Sequence, residues 1–565
     1  GISSYIGGGG RVAIRYNTVS SLATLKSKIS AVGYSVAGEG TVYLKDLTTS
    51  YQILIIKGDG GDKGTSTAIN LSDIDEVILD GGGLSLIGSY PWNLTSSFSL
   101  NNGAFLTSNS TSPIIVSGTL SILSGSTLTT NGTFSADDLL VYNGTYNSYN
   151  SSIIYNDLSL SGGTFNNNSS LSIHNDLNLL SGALNNYSSL SVYNNSIIKS
   201  YSIVDNNSSF NVSGNLTIEN GGIITHDATS TTSSNLIVGG TLTINSGGKY
   251  DVSGKGIATT GAGSQTIGAS YGGYGINSSK LPYGDIYNPT NVGSYGYNSS
   301  YPGGGLVKMI VGNLVNNGSI LANGSNISWG QGSGGSINIT VNGNISGNGI
   351  YQAKGGGTTS YNGGGGRIAI RYNTVSDLTI LKSKISINGP STAGEGTIYL
   401  KDISTGKDYL LVKGDSVSGN YNTSVGTGYT DYYFDTIEVT DYGKLYKVGT
   451  QNIVSPLCIV SGFGVIDPLI NCTGDTNFRY YDLGIGIKNF SPITRKYEFL
   501  INGPSGGYSF MTASNGTITG NGNILSRIKI VKIGTYIITF NLYDGNLANS
   551  QILRTVTKTV TVQNN

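Results

Sequence analysis

Between residues 119 and 238 one short apolar string keeps returning at an almost constant step. TLSI begins at Thr119, DLLV at Asp138, DLSL at Asp157, DLNL at Asp176, SIIK at Ser196, NLTI at Asn215 and NLIV at Asn235, in steps of 19, 19, 19, 20, 19 and 20 residues. A second series runs beside it, with SSI from Ser151, SSL from Ser169, SSL from Ser188 and SSF from Ser208. A unit this small cannot bury its apolar side chains alone, so it must stack on its neighbours. Alternating apolar and polar positions make each string a strand with one buried face. Asn, Gly and Ser fill the turns, where a positive φ is often required. The expected fold is all-β, a solenoid of the right-handed parallel β-helix type.

A longer period governs both ends of this region. The stretch GGGGRVAIRYNTVSSLATLKSKISAVGYSVAGEGTVYLKD, Gly7 to Asp46, returns as GGGGRIAIRYNTVSDLTILKSKISINGPSTAGEGTIYLKD, Gly363 to Asp402, 356 positions on and without a gap. The next strand repeats at the same offset, Ile53 to Asp59 matching Tyr409 to Asp415. Gly305, Gly335, Gly366 and Gly396 precede strands 30 or 31 residues apart, as Gly10 and Gly40 do. Long coils of about 30 residues are therefore expected at 1–60 and 303–402, and coils of about 19 residues at 115–240. At about 4.8 Å per coil, sixteen to eighteen coils would make a rod of roughly 80 Å. Leu25 to Val32 is expected as a strand; a short helix over Ser20 to Lys28 is the alternative, opposed by weak helix formers. Residues 255–302, rich in Gly and Tyr and without period, read as an excursion off one coil, with Tyr271, Tyr274, Tyr283, Tyr287, Tyr295, Tyr297 and Tyr301 packed outside the solenoid or presented as a contact surface. The solenoid is expected to span 1–480.

From residue 481 the pattern changes. YEFLINGPSGGYSF, ILSRIKIVKIGTYIITFNLYDG and RTVTKTVTVQ read as antiparallel strands, so 481–565 is expected to be a separate β-sandwich. This stretch, with GTYIITF from Gly534 and YDG from Tyr543, resembles immunoglobulin-like domains of the PKD and bacterial surface type. The GGGGR-[VI]-A-I and A-G-E-G-T-[VI]-Y-L-K-D strings resemble Gly-rich modules of large adhesin-like surface proteins of bacteria and archaea. That resemblance implies parallel β-helices in tandem with Ig-like modules appended, an extracellular or cell-surface location, and a structural or adhesive role. It carries no catalytic residues to this chain.

Composition narrows the function classes. Charged residues make up 11% of the chain, against about 25% in ordinary domains. The 31 Lys and Arg balance the 31 Asp and Glu, which gives no basic field for nucleic acid or anionic lipid. No apolar run reaches the roughly 18 residues of a membrane helix. The chain opens inside a repeat, Gly1 to Tyr5 aligning with Gly357 to Tyr361. A processed product or a piece of a longer tandem array is therefore expected, and its first coil is expected to dock on another copy.

Candidate chemistry is sparse. Cys458 and Cys472, with no His nearby, lack the ligands of a zinc site and read as a loop-closing disulfide, with two free buried thiols as the alternative. Asp138, Asp157 and Asp176 would stack one coil apart; such a ladder would hold a cation or act on a sugar, yet Thr119, Ser196, Asn215 and Asn235 take the same slot, which reads as one polar corner. His174 and His226 are expected to be unrelated surface residues. The glycine run lacks the GK[ST] of a phosphate loop and reads as close coil packing. Arg11 and Arg15, like Arg367 and Arg371, share a strand face and read as solvated surface, with a carbohydrate or partner contact as the alternative. Asn-X-Ser/Thr sequons are numerous, Asn93, Asn131, Asn143, Asn168, Asn215, Asn298, Asn326, Asn338, Asn344, Asn471 and Asn515 among them, and are glycosylation candidates if the chain is secreted. The expectation is a non-enzymatic glycoprotein without cofactor or metal: a subunit of a surface fibre, filament or adhesin stalk, whose partners are other copies of itself and surface glycans. The alternative is a carbohydrate-binding or polysaccharide-degrading β-helix of tailspike or lyase type.

Overall fold

The computed structural model describes the 565-residue chain except residues 1–8, 34–39, 59–66, 69–73, 87–90, 109–112, 229–233, 257–267, 297–300, 326–330, 358–361, 391–392, 415–422, 426–428, 430, 448–451, 462–463, 468, 473–478, 488–493, 504–507, 511–513, 520–521, 531–533, 544–550 and 563–565. The described residues are almost all β. A 24-stranded sheet and a 13-stranded sheet dominate, and one apolar core lies between them. The 13 strands follow chain order, from Thr67–Ala68 to Ile385–Ser386. At about 4.8 Å per step they extend roughly 58 Å. No described helix is long and apolar enough to cross a membrane.

Each short coil has three strands rather than the two visible in the sequence. One coil contains Ser152–Ile154, Leu158–Ser161 and Gly163–Asn167; the next contains Leu171–Ile173, Leu177–Leu179 and Gly182–Asn186. All three pairs are parallel and in register. The third register looks like turn sequence because its inward residues include Gly163, Asn167 and Asn186 beside Phe165 and Leu184. Two expected alignments shift. Leu177 pairs with Ser196, so Asn195 rather than Ser196 stands in the polar corner. Asn235 pairs with Ser209 in the first register, and Thr241–Ile244 continues the second from Leu216.

The duplicated stretch contains a helix, not the strand expected over Leu25–Val32. Leu22–Lys28 is helical, and so is Leu378–Lys384. Capping outweighs weak propensity here. Ser21 accepts a hydrogen bond from the Thr24 amide, Asp377 accepts from the Thr379 and Ile380 amides, and lysines fill each last turn.

Behind each helix the chain reverses. Arg11–Tyr16 and Thr41–Asp46 are parallel, but Thr41–Asp46 and Gln52–Lys57 are antiparallel, after which parallel stacking resumes toward Glu76–Asp80. The second copy does the same, with Thr397–Asp402 antiparallel to Asp408–Lys413 and parallel pairing onward to Leu457–Val460. At each hairpin the core changes sides of the sheet. Val42, Leu44, Ile53 and Ile55 form a core with the first helix, whereas Leu54 and Ile56, pointing the other way, begin the central core. Ile398, Leu400 and Leu411 end that central core, while Tyr399, Leu410 and Val412 belong to the next. The hairpin strands are accordingly apolar on both faces, as in Gln52–Lys57, where Ile53, Leu54, Ile55 and Ile56 are all buried. Three coil stacks thus share one sheet: an N-terminal one ending at Asp46, a central one from Gln52 to Asp402, and a C-terminal one from Asp408.

Residues from Arg479 onward form two antiparallel sheets, one of three strands and one of four. Phe499, Tyr536, Ile538, Phe540 and Leu542 are buried on one face of the larger sheet.

Candidate functional site

The joint between the central and C-terminal stacks gathers a buried arginine, a ring cluster and a glycine column among the described residues. Glycine columns lead into it. A Cβ on Gly335, Gly366 or Gly396 would strike the carbonyl oxygen of the glycine one coil before, at Gly305, Gly335 and Gly366 respectively. These glycines are needed for close coil packing, and positive φ has no part in it.

Residues 268–296 of the excursion lie on the outer face of the last central coils. Their backbone pairs with the glycine run: Gly272 and Gly273 amides donate to the Gly365 carbonyl, and the Gly364 amide donates to that of Ala269. Their side chains complete the joint. Tyr287 rings pack edge-on against Tyr399 at 4.9 Å and stack on Tyr432 at 6.0 Å, with Phe434 at 5.7 Å. Ile286 is buried among Leu410, Val412 and Ile437, at the opening of the C-terminal core. Tyr429 donates to Asp285 Oδ2 at 3.0 Å. A stack end exposes unsatisfied strand edges and apolar side chains; here the excursion covers them.

Arg367 sits at the centre, 0% exposed. The expected solvated arginine is buried because the excursion folds over it. Its Nε donates to the Tyr283 carbonyl at 2.8 Å, Nη1 to Thr397 Oγ1 at 2.8 Å, and both Nη atoms to the Ser424 carbonyl at 3.3 Å. Its guanidinium lies 5.6 Å from the Tyr271 ring centroid. Burial pulls the Arg367 pKa down, with Tyr271 as the first of the groups opposing that shift. Burial also pushes the Tyr271 hydroxyl up to about 12, and it shares a 2.6 Å hydrogen bond with Ser336. Four residues on, Arg371 donates to the Tyr287 carbonyl and, at 3.0 Å, to Asn338 Oδ1. Two arginines four apart therefore read two carbonyls four apart. Salt bridges reinforce both joints: Lys26–Glu76 and Lys382–Glu438, each 2.7 Å, tie the helix before each hairpin to a strand of the stack after it.

The carboxylate column serves the backbone. Asp138 Oδ1 accepts from the Asp157 amide at 3.2 Å, Asp157 Oδ1 from the Asp176 amide at 3.1 Å, and Asp176 Oδ1 from the Asn195 amide at 2.9 Å. Asn195 and Asn215 continue the series to the amides of Asn215 and Thr241. Each side chain thus caps the coil that follows it. Inside the core a second column runs through amides. Asn167 Nδ2 donates to Asn186 Oδ1 and Asn186 Nδ2 to Asn206 Oδ1, both at 2.8 Å and all three residues 0% exposed. Asparagine recurring at the repeat spacing, at 167, 186 and 206, is the sequence signal for it.

The histidines differ from each other. His174 is exposed, its ring edge-to-face with Tyr155 at 5.5 Å and Tyr193 at 5.1 Å, one coil on either side. His226 is buried rather than on the surface, because the chain returning from the excursion closes over it. Its Nδ1 lies 2.7 Å from the Asp227 carbonyl and its Nε2 accepts from the Leu306 amide at 3.2 Å. Burial lowers its pKa.

Cys458 and Cys472 are joined as a disulfide, Cα to Cα 5.5 Å, beside the C-terminal core. Among the sequons, Asn93, Asn131, Asn143, Asn168, Asn215, Asn471 and Asn515 are exposed and Asn344 half-buried. Asn338 is only 5% exposed and hydrogen-bonded to Asn288 and Arg371, so a glycan there would displace the excursion. Asn298 and Asn326 lie outside the described residues. No family model, curated protein or solved structure matches the chain.

Proposed function

We propose that this chain is an extracellular structural protein, a subunit of a cell-surface fibre or adhesin stalk that assembles head to tail. In this reading the stacks are right-handed parallel β-helices, the hand that parallel crossovers adopt almost without exception, and residues 481–565 are an Ig-like sandwich. Moving the core to the other face of the sheet at each reversal keeps that hand. The observation that carries the proposal is the even number of reversals, two among the described strands of the large sheet. After two hairpins, Leu457–Val460 runs in the same direction as Arg11–Tyr16, with its core on the same face. One end can therefore follow the other in parallel register, and such a contact closes no ring. Both ends offer apolar surface: Leu457 is 51% and Val460 51% exposed, and Val12 and Ile14 are half-buried. Glycans on exposed sequons would supply solubility to a surface poor in charge. Removing residues 1–46, or placing Ile14→Lys in the leading strand, is expected to abolish filaments seen by electron microscopy; filaments that survive both changes refute the proposal.

One observation favours a second reading, carbohydrate binding. Tyr155, His174 and Tyr193 make a column of exposed rings one coil apart. Sugar rings stack on such faces. Retention on a panel of acidic polysaccharides, lost on Tyr155→Ala with Tyr193→Ala, would support it.

A further inference from the structure

The duplicated strand exists twice in one molecule with different surroundings, and the difference defines a recognition surface. In RIAIRY, Arg367–Tyr372, both arginines are engaged by the excursion, through Tyr283, Tyr287 and the ring of Tyr271. In RVAIRY, Arg11–Tyr16, the same arginine pair has the same spacing on the same face, and Arg11, Ala13 and Arg15 are exposed. The neighbouring strand matches as well. Ala13 stands beside Tyr43 as Ala369 stands beside Tyr399, and Arg11 beside Thr41 as Arg367 beside Thr397. Tyr43 donates to Gln52 as Tyr399 donates to Asp408. The arginine strand and the strand that follows it therefore match at the two joints, whereas Ser336 and Asn338, which meet Tyr271 and Arg371 at the covered joint, come from the coil before it.

We infer that the Arg11–Arg15 face is a docking site for a Gly/Tyr-rich segment of the sequence of residues 268–291, supplied by another repeat unit. The occupant is fixed by chemistry. Its backbone must bring two carbonyls to a four-residue spacing, as Tyr283 and Tyr287 do, and glycines must let it lie against the Gly9–Gly10 backbone, as Gly272 and Gly273 lie against Gly365–Gly366. A tyrosine ring must lie by the first guanidinium, as Tyr271 does, and another must cover Tyr43, as Tyr287 covers Tyr399. The inference goes beyond the head-to-tail reading and does not depend on it: residues 268–291 of a whole copy already cover that copy's Arg367, so the occupant is the excursion of a separate repeat unit.

The test adds a fluorescent synthetic peptide of residues 268–291 to the intact chain and follows anisotropy, with a scrambled peptide as control. Saturable binding that weakens at least about tenfold on Arg11→Ala with Arg15→Ala, the loss of roughly 1.4 kcal/mol or more, is expected. Binding that ignores the arginine pair overturns the inference. Because a free peptide must also be ordered, a second chain carries residues 232–356 placed directly before Gly1, which extends the repeat in frame. In it, Arg11 and Arg15 are expected to resist phenylglyoxal as buried Arg367 does; modification at the rate seen in the unextended chain overturns the inference. Filaments that form normally while both results are negative would leave the head-to-tail reading standing and remove this one alone.

Discussion

Replacing Asn186 with alanine removes the centre of the buried amide column. Three hydrogen bonds disappear: one accepted from Asn167 at 2.8 Å, one donated to Asn206 Oδ1 at 2.8 Å and one to the Ser209 carbonyl at 3.1 Å. Each contributes about 1 kcal/mol net, and leaving a buried acceptor such as Asn206 Oδ1 without that donor costs about 1–3 kcal/mol more. The expected loss is roughly 4–6 kcal/mol before relaxation, which sums those contributions. In a stack that contacts only its neighbours, this loss stays local. Hydrogen exchange should accelerate in Gly163–Val212 and remain unchanged in Leu306–Leu321. The companion variant replaces Asn167, Asn186 and Asn206 together by leucine. Removing partners jointly by apolar groups of similar size is far cheaper than orphaning one, so the triple variant should be more stable than Asn186→Ala. A single-variant loss below about 1 kcal/mol, or a triple variant that merely sums three single losses, would refute the reasoning.

Four further outcomes are expected. Gly335→Ala drives a methyl group into the Gly305 carbonyl and should cost at least about 2 kcal/mol, read as a lower denaturation midpoint. Reducing Cys458–Cys472, whose sequence separation is 14, should cost about 3 kcal/mol and raise protease sensitivity around residues 431–471 alone. His226 has a folded pKa below its ordinary value because it is buried, so the unfolded chain takes up a proton first as pH falls; its contribution is complete above about pH 6.5 and declines below it. His226→Gln, which cannot titrate, should remove that part of the stability slope between about pH 7 and 5. Arg367→Ala should speed exchange in residues 268–296 and 423–434 together, since the guanidinium joins Tyr283 to Ser424.

Much of the strand content was legible because Leu, Ile and Val alternate at a constant period, and the duplicated stretch marked the joints. The third register was hidden because Asn167, Asn186 and Asn206 point inward, and a buried asparagine that bonds to its own column has no signature in a hydropathy pattern. The reversals were hidden for a different reason. Their signal is a strand apolar on both faces, such as QILIIK from Gln52, and such a run is also what any central strand shows. The burial of Arg367 was invisible because its cover comes from a segment about 80 residues earlier without period, and the same sequence at Arg11 is exposed. Identical residues here take their role from what lies across from them.

The change of core face at the hairpins is the claim on which the joints, the chain polarity and the assembly reading all depend. A cryo-electron microscopy map of the intact chain that resolves strands would test it directly. It should show Thr397–Asp402 antiparallel to Asp408–Lys413, with Ile398 and Leu400 on one side of the sheet and Leu410 and Val412 on the other. Uninterrupted parallel stacking across residues 397–413, with all four side chains in one core, would contradict it.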